Sequence, residues 1–136
     1  KDGANLRFGG IRPKRFNKGY FIPPTLFENV NMNSALAQDE IFGPVAIVHN
    51  FNSDDEVIKM ANSYDTGLVA GIYSHNISKS VKLSKYLDFG SVWINGWFIG
   101  GLQAPTGGTK MSGIGRERGL PGILNYVSIK NIGIKL

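Results

Sequence analysis

The sequence predicts an α/β fold, an open and mainly parallel sheet with flanking helices, and three observations carry that expectation. Short apolar runs begin at Val45, Leu68 and Ser91; segments with helix-start signals stand between them; turn residues mark each change of type. Strands buried on both faces read as near-continuous apolar runs, and parallel neighbours need a crossover of a dozen or more residues, usually helical. A chain of 136 residues has room for one domain with a core of its own.

Each element follows from its residues. Gly19 to Phe27 (GYFIPPTLF) reads as extended. Pro23 and Pro24 have no N–H to give a ladder, which puts the segment at a sheet edge or a strand end. Val45–Val48 is the first apolar strand of the alternating series. Ser53-Asp54-Asp55-Glu56 then forms a capping box, the Ser hydroxyl meeting an unpaired N–H while the Glu reaches back. Three acids in a first turn also suit the positive end of a helix. That helix is expected to run to about Ser63 with Val57, Ile58 and Ala61 on one face, and Gly67 follows its end.

Leu68 to Tyr73 is the second strand. Asn76 or Ser78 opens a second helix that reaches Leu87 and stops near Gly90, and Ser91 to Asn95 is the third strand. Ligands of such sheets gather beyond the C-terminal ends of the strands. The glycine-dense segment Gly96 to Gly115 leaves the third strand at such an end, with backbone suited to close approach. Pro121 stands as a first helical residue. From Tyr126 to Leu136 the residues alternate as a long strand with nothing downstream to pair with, an edge for another subunit to cover.

Composition narrows the function classes. With no Cys there is no disulfide, no thiolate metal site and no cysteine nucleophile in this chain. No apolar run approaches the roughly 20 residues of a membrane span, and Lys1 to Asn5 carry no apolar signal core, so the expected setting is cytoplasmic with no membrane partner. The net charge of +5 lies entirely in residues 1–27, where Lys1, Arg7, Arg12, Lys14, Arg15 and Lys18 face Asp2 alone. No nucleic-acid motif accompanies this stripe, so a solvated surface is expected and no nucleic-acid partner. His49 and His75, 26 residues apart without acids or thiols in a ligand spacing, predict no metal site.

Chemistry concentrates at Asp39-Glu40-Ile41-Phe42-Gly43-Pro44-Val45. An acid and an aromatic stand two residues apart on a Gly-Pro corner at a strand's start. A carboxylate so placed can accept both hydroxyls of a ribose, and the ring can wall a flat cofactor. On these residues alone a surface acid beside a core Phe is the favoured reading.

The segment resembles the E-I-F-G-P-V signature of aldehyde dehydrogenases. Two more stretches agree: Gly19 to Leu26 is similar to the family's G-Y-F-x-x-P-T-x strand, and Pro105 to Glu117 (PTGGTKMSGIGRE) to its P-x-G-G-x-K-x-S-G-x-G-R-E segment. The three stand in the family's order. The resemblance implies that Glu40 binds the nicotinamide ribose of NAD or NADP and that Phe42 packs near the nicotinamide. It also implies that residues 1–125 are part of a catalytic domain, the later part of it, and that 126–136 are an oligomerisation strand, which predicts a homo-oligomer.

In that family a Cys thiolate attacks the aldehyde, hydride passes to NAD(P)⁺, and water releases the acid. The Cys, the general-base Glu and the Gly-rich cofactor domain would lie before Lys1. The 136-residue chain alone is therefore expected to be inactive, with no catalytic residue beyond a proton-relay role for Glu117, and to bind cofactor weakly. The loop after Asn95 is similar to one that lines the aldehyde funnel, which nominates Trp97, Phe98, Ile99 and Thr106. Thr106 stands where many relatives have Phe, and Gly100 where an aromatic is frequent, which points to a wider or more polar funnel. Glu117 stands beside Arg116, so an ion pair between them competes with the relay. Lys110 reads as structural or interfacial. Two other readings stay open: a non-catalytic binding or oligomerisation module, and a basic interaction domain using residues 7–18.

Overall fold

A computed structural model describes residues 3–136, and the chain divides into two compact units, Lys1–Tyr64 and Asp65–Leu136. In the first unit the strands β1 (Asn5–Phe8), β2 (Thr25–Glu28) and β3 (Val45–Val48) form one sheet in that order. β1 runs antiparallel to β2, while β2 and β3 are parallel from Thr25↔Val45 to Glu28↔Val48. A short helix, α1 (Ala35–Gln38), lies on the crossover between the parallel pair, and α2 (Asp54–Asn62) follows β3. The prolines 23 and 24 end just before β2, so the strand-end reading holds and the edge reading does not: β2 is central.

The start of α2 follows its local chemistry. Ser53 Oγ accepts from the Glu56 N–H at 3.2 Å, and the Glu56 carboxylate accepts from the Asn52 N–H at 2.7 Å. The Glu thus reaches one residue further back than the expected box. Val57, Ile58 and Ala61 are half-buried, and Lys59 between them is exposed. Both signals are contained within a few residues, which is why the sequence exposes them.

The second unit holds β4 (Thr66–Gly67), β5 (Val69–Ile72), α3 (Ile77–Ser84), β6 (Ser91–Ile94), β7 (Thr109–Lys110) and α4 (Gly119–Leu124). β5 and β6 are parallel from Val69↔Ser91 to Ile72↔Ile94, joined through α3, and β4 pairs antiparallel with β7. Asn76 is the N-cap of α3, its Oδ1 accepting from the Lys79 N–H at 2.9 Å. Of the two expected openers Asn76 is therefore the one used, and the helix ends at Ser84, three residues short of Leu87.

The fold is α/β, with three small sheets where one open, mainly parallel sheet was expected. Two of the four strand pairings are parallel, β2–β3 and β5–β6, and each parallel pair has a helix on its crossover. Three four-residue apolar runs announce strands but do not name their neighbours. Pro121 is the third residue of α4, not the first; the first turn has no intrahelical use for its N–H, so the ring is tolerated there. Residues 127–136 join no ladder among the described residues, and Ile129, Ile132, Ile134 and Leu136 are exposed. No helix among the described residues is long and apolar enough to cross a membrane.

Very little apolar surface is enclosed. Among the described residues Val30 and Ala37 are the buried hydrophobic ones, joined by the buried polar Thr25 and Ser80. Thr25 fixes the entry to β2: its Oγ1 accepts from the Gly10 N–H and donates to the Pro23 carbonyl, both at 2.9 Å. Gly9 lies so close that an added Cβ would overlap the Pro24 carbonyl oxygen.

Candidate functional site

The Glu40–Pro44 corner is built from main-chain bonds. Asp39 ends α1 with its N–H on the Ala35 carbonyl at 2.9 Å. Gly43 N–H donates to the Ile41 carbonyl and Val45 N–H to the Gly43 carbonyl, each at 2.8 Å, which are two successive tight turns. The Pro44 carbonyl then accepts from the Thr25 N–H at 2.8 Å, fastening the corner to β2. Tyr64 shares a cleft with Asp39, Ile41 and Val45 beneath it, and burial pushes its phenol up from the ordinary value.

On this frame Glu40 is exposed and has no hydrogen-bond or ion-pair partner among the described residues. Phe42 is 93% exposed. A phenyl ring standing out of a rigid corner leaves close to its full apolar area in water, a cost of about 2 kcal/mol against burial. The surface-acid half of the competing reading is met, but its core-Phe half is not. An unburied ring beside an unpaired carboxylate is an arrangement that can receive a sugar and the flat ring attached to it.

The second unit positions the aromatic loop. Trp93 on β6 meets Trp97 edge-on, with ring centroids 4.8 Å apart, and lies 5.1 Å from Phe98. Such pairs add about 1 kcal/mol to area burial. Phe98, Ile99 and Thr106 come together around one small cleft with Trp93, Pro105 and Arg118. Trp97 is not among its lining residues; its ring meets Phe98 edge-on, with centroids 6.3 Å apart. Trp93 was legible only as a strand residue, and its part in this cluster went unseen.

Glu117 is exposed, and its main chain is bridged to Thr106 in both directions, N–H to carbonyl at 2.8 and 2.7 Å. Arg116 does not pair with it. The guanidinium donates to the Gly108 carbonyl at 2.7 Å and the Gly115 carbonyl at 2.8 Å, clasping the glycine-rich segment shut. Lys110 sets its ammonium over the Phe89 ring at 5.5 Å, in keeping with a structural role. His75 is exposed, and His49 Nε2 is buried without a hydrogen-bond partner among the described residues.

Comparison with known proteins decides the family. The model of the "Aldehyde dehydrogenase family" matches residues 1–132. This chain belongs to the aldehyde dehydrogenase family. Over all 136 residues it is 46% identical to aldehyde dehydrogenase, cytosolic 1, of Macroscelides proboscideus, and covers 27% of that protein. Human retinaldehyde dehydrogenase 3 is also 46% identical over the whole chain, which covers 26% of it. Among solved structures, the NAD⁺ complex of an aldehyde dehydrogenase from Bacillus cereus superposes with a TM-score of 0.86 at 42% identity, over 94% of this chain and 26% of that one. The chain thus spans about a quarter of the length of each of these three proteins.

Proposed function

We propose that this chain is the later part of the catalytic region of an NAD(P)-dependent aldehyde dehydrogenase, which oxidises an aldehyde to a carboxylic acid. Within the longer protein Glu40 accepts the hydroxyls of the nicotinamide ribose and Phe42 borders the nicotinamide. The single observation that carries this reading is the exposed, unpartnered pair of Glu40 and Phe42 on a corner held rigid by main-chain bonds, inside a chain of this family. The bound cofactor would supply the hydride acceptor. These residues suit its nicotinamide end.

Phe98, Ile99 and Thr106, together with Trp97, form one side of the aldehyde approach, and Glu117 passes protons outward. Residues 126–136 pair with a sheet edge of a second copy, so the working protein is a homo-oligomer in the cytoplasm. The unpaired, exposed Ile129, Ile132 and Ile134 support this. Without a Cys the chain alone has no nucleophile for aldehyde oxidation and is inactive; turnover by the purified 136-residue chain would refute this.

The test is Glu40→Ala in the full-length protein. Loss of charge-assisted hydrogen bonds to the ribose lowers cofactor affinity or turnover by roughly tenfold or more. Cofactor binding measured by calorimetry and kcat both unchanged would remove Glu40 from the site.

A further inference from the structure

Where β5 and β6 end, the ladder is continued by a side chain. The last main-chain bond is Asn95 N–H to the Ile72 carbonyl at 2.8 Å. One step further, Asn95 Oδ1 accepts from the Ser74 N–H at 2.8 Å and Asn95 Nδ2 donates to the Ser74 carbonyl at 2.9 Å. A carboxamide places an acceptor and a donor side by side, as the N–H and C=O of one strand residue do, and so it can stand in for one more residue of strand. Asn95 itself has left the strand, with φ +56°, a left-handed conformation that Asn tolerates better than most side chains.

That reversal sends the chain back over the sheet. Trp97 lies across Gly71, the residue of β5 opposite Trp93; a Cβ on Gly71 would stand 3.1 Å from the Trp97 ring. The glycine makes the seat, Trp93 makes the wall, and the amide sets the angle of return. We propose that Asn95 is the positioning residue of this aromatic loop: by gripping the main chain of Ser74 it lays Trp97 and Phe98 against Trp93 and so sets the width of the aldehyde approach. The second half of that statement rests on the funnel reading given under Proposed function; the first does not.

Variants of the full-length protein test both halves. Trp93 and Trp97 are the only tryptophans of this chain, and indoles this close couple as an exciton pair in far-ultraviolet circular dichroism. The difference spectrum between the parent and Trp97→Phe defines that signature. Asn95→Gly keeps the left-handed backbone without strain and deletes only the amide. It is expected to lose the signature as Trp97→Phe does. It should also shift KM for a bulky aromatic aldehyde about tenfold relative to a short aliphatic one, with kcat for the short aldehyde held.

Ser74→Ala is the matched control. Both bonds from Asn95 reach the Ser74 main chain, so this variant should keep the signature and the KM ratio. Asn95→Asp keeps the acceptor but sets an oxygen against the Ser74 carbonyl, and should fall between parent and Asn95→Gly. An intact signature in Asn95→Gly, or its equal loss in Ser74→Ala, overturns the positioning role. A lost signature with an unchanged KM ratio upholds the positioning role and overturns the assignment of Trp97 and Phe98 to the aldehyde approach.

Discussion

The Glu40–Pro44 corner and the glycine-rich segment that closes on Arg116 use the same ingredients and are built in opposite ways. The corner stands in open space: a Cβ on Gly43 would meet nothing nearer than the Ile41 Cγ2 at 3.9 Å. The glycine-rich segment is packed against backbone: a Cβ on Gly107 would overlap the Gly115 carbonyl oxygen, and one on Gly90, just before β6, would overlap the Gly107 carbonyl oxygen. Glycine is therefore a habit at Gly43 and a necessity at Gly90 and Gly107. The difference teaches that a motif's glycines carry information only where the chain passes close to itself.

The largest effect should come from Gly90→Ala, which has no room to relax because its neighbour is main chain. A loss of about 3 kcal/mol or more is expected in urea unfolding of the full-length protein; a loss below about 1 kcal/mol would erase the contrast. Next comes Arg116→Ala. It strips the partner from the carbonyl of buried Gly108, and about 2 kcal/mol should go, while Arg116→Lys restores part of it. Thermal melts of the two variants side by side would check the ranking.

Tyr64, under the corner, gives a smaller and pH-dependent effect. Burial raises its phenol above 10.0, so the unfolded state ionises first as pH rises. Its contribution is fully present below about pH 10 and is lost as pH climbs through the folded value. Tyr64→Phe should flatten that alkaline loss; an unchanged slope above pH 10 would count against it. The smallest effect belongs to Gly43→Ala, within about 0.5 kcal/mol of the parent in the same unfolding measurement. A larger cost would mean that the corner is not open.

How far the sequence could be read depended on how local each signal was. The caps of α2 and α3 are contained within a few residues, and Ser53 and Asn76 were both legible as openers. The corner was legible because Gly43-Pro44 dictates its own turn. Strand neighbours were not, since Val45–Val48 and Val69–Ile72 carry the same apolar pattern and yet pair in different sheets. β1 was missed, because Asn5–Phe8 is exposed throughout and holds an Arg7 that pairs with Glu28 across the strands at 3.6 Å. The Arg116 clasp is invisible in the sequence because its acceptors are main-chain carbonyls, which any residue carries. The Trp93–Trp97 contact depended on a reversal at Asn95, and an Asn-Gly pair at a strand's end was the one hint of it.

That Asn-Gly pair has a chemical consequence over time. An asparagine followed by glycine is the dipeptide whose amide most readily closes on the next main-chain nitrogen, shedding ammonia and ageing to aspartate. Here both ends of the amide are engaged with Ser74, which restrains the rotation that closure needs. The grip that shapes the loop therefore also slows its decay, and protein stored with the loop loosened should turn acidic at this position first.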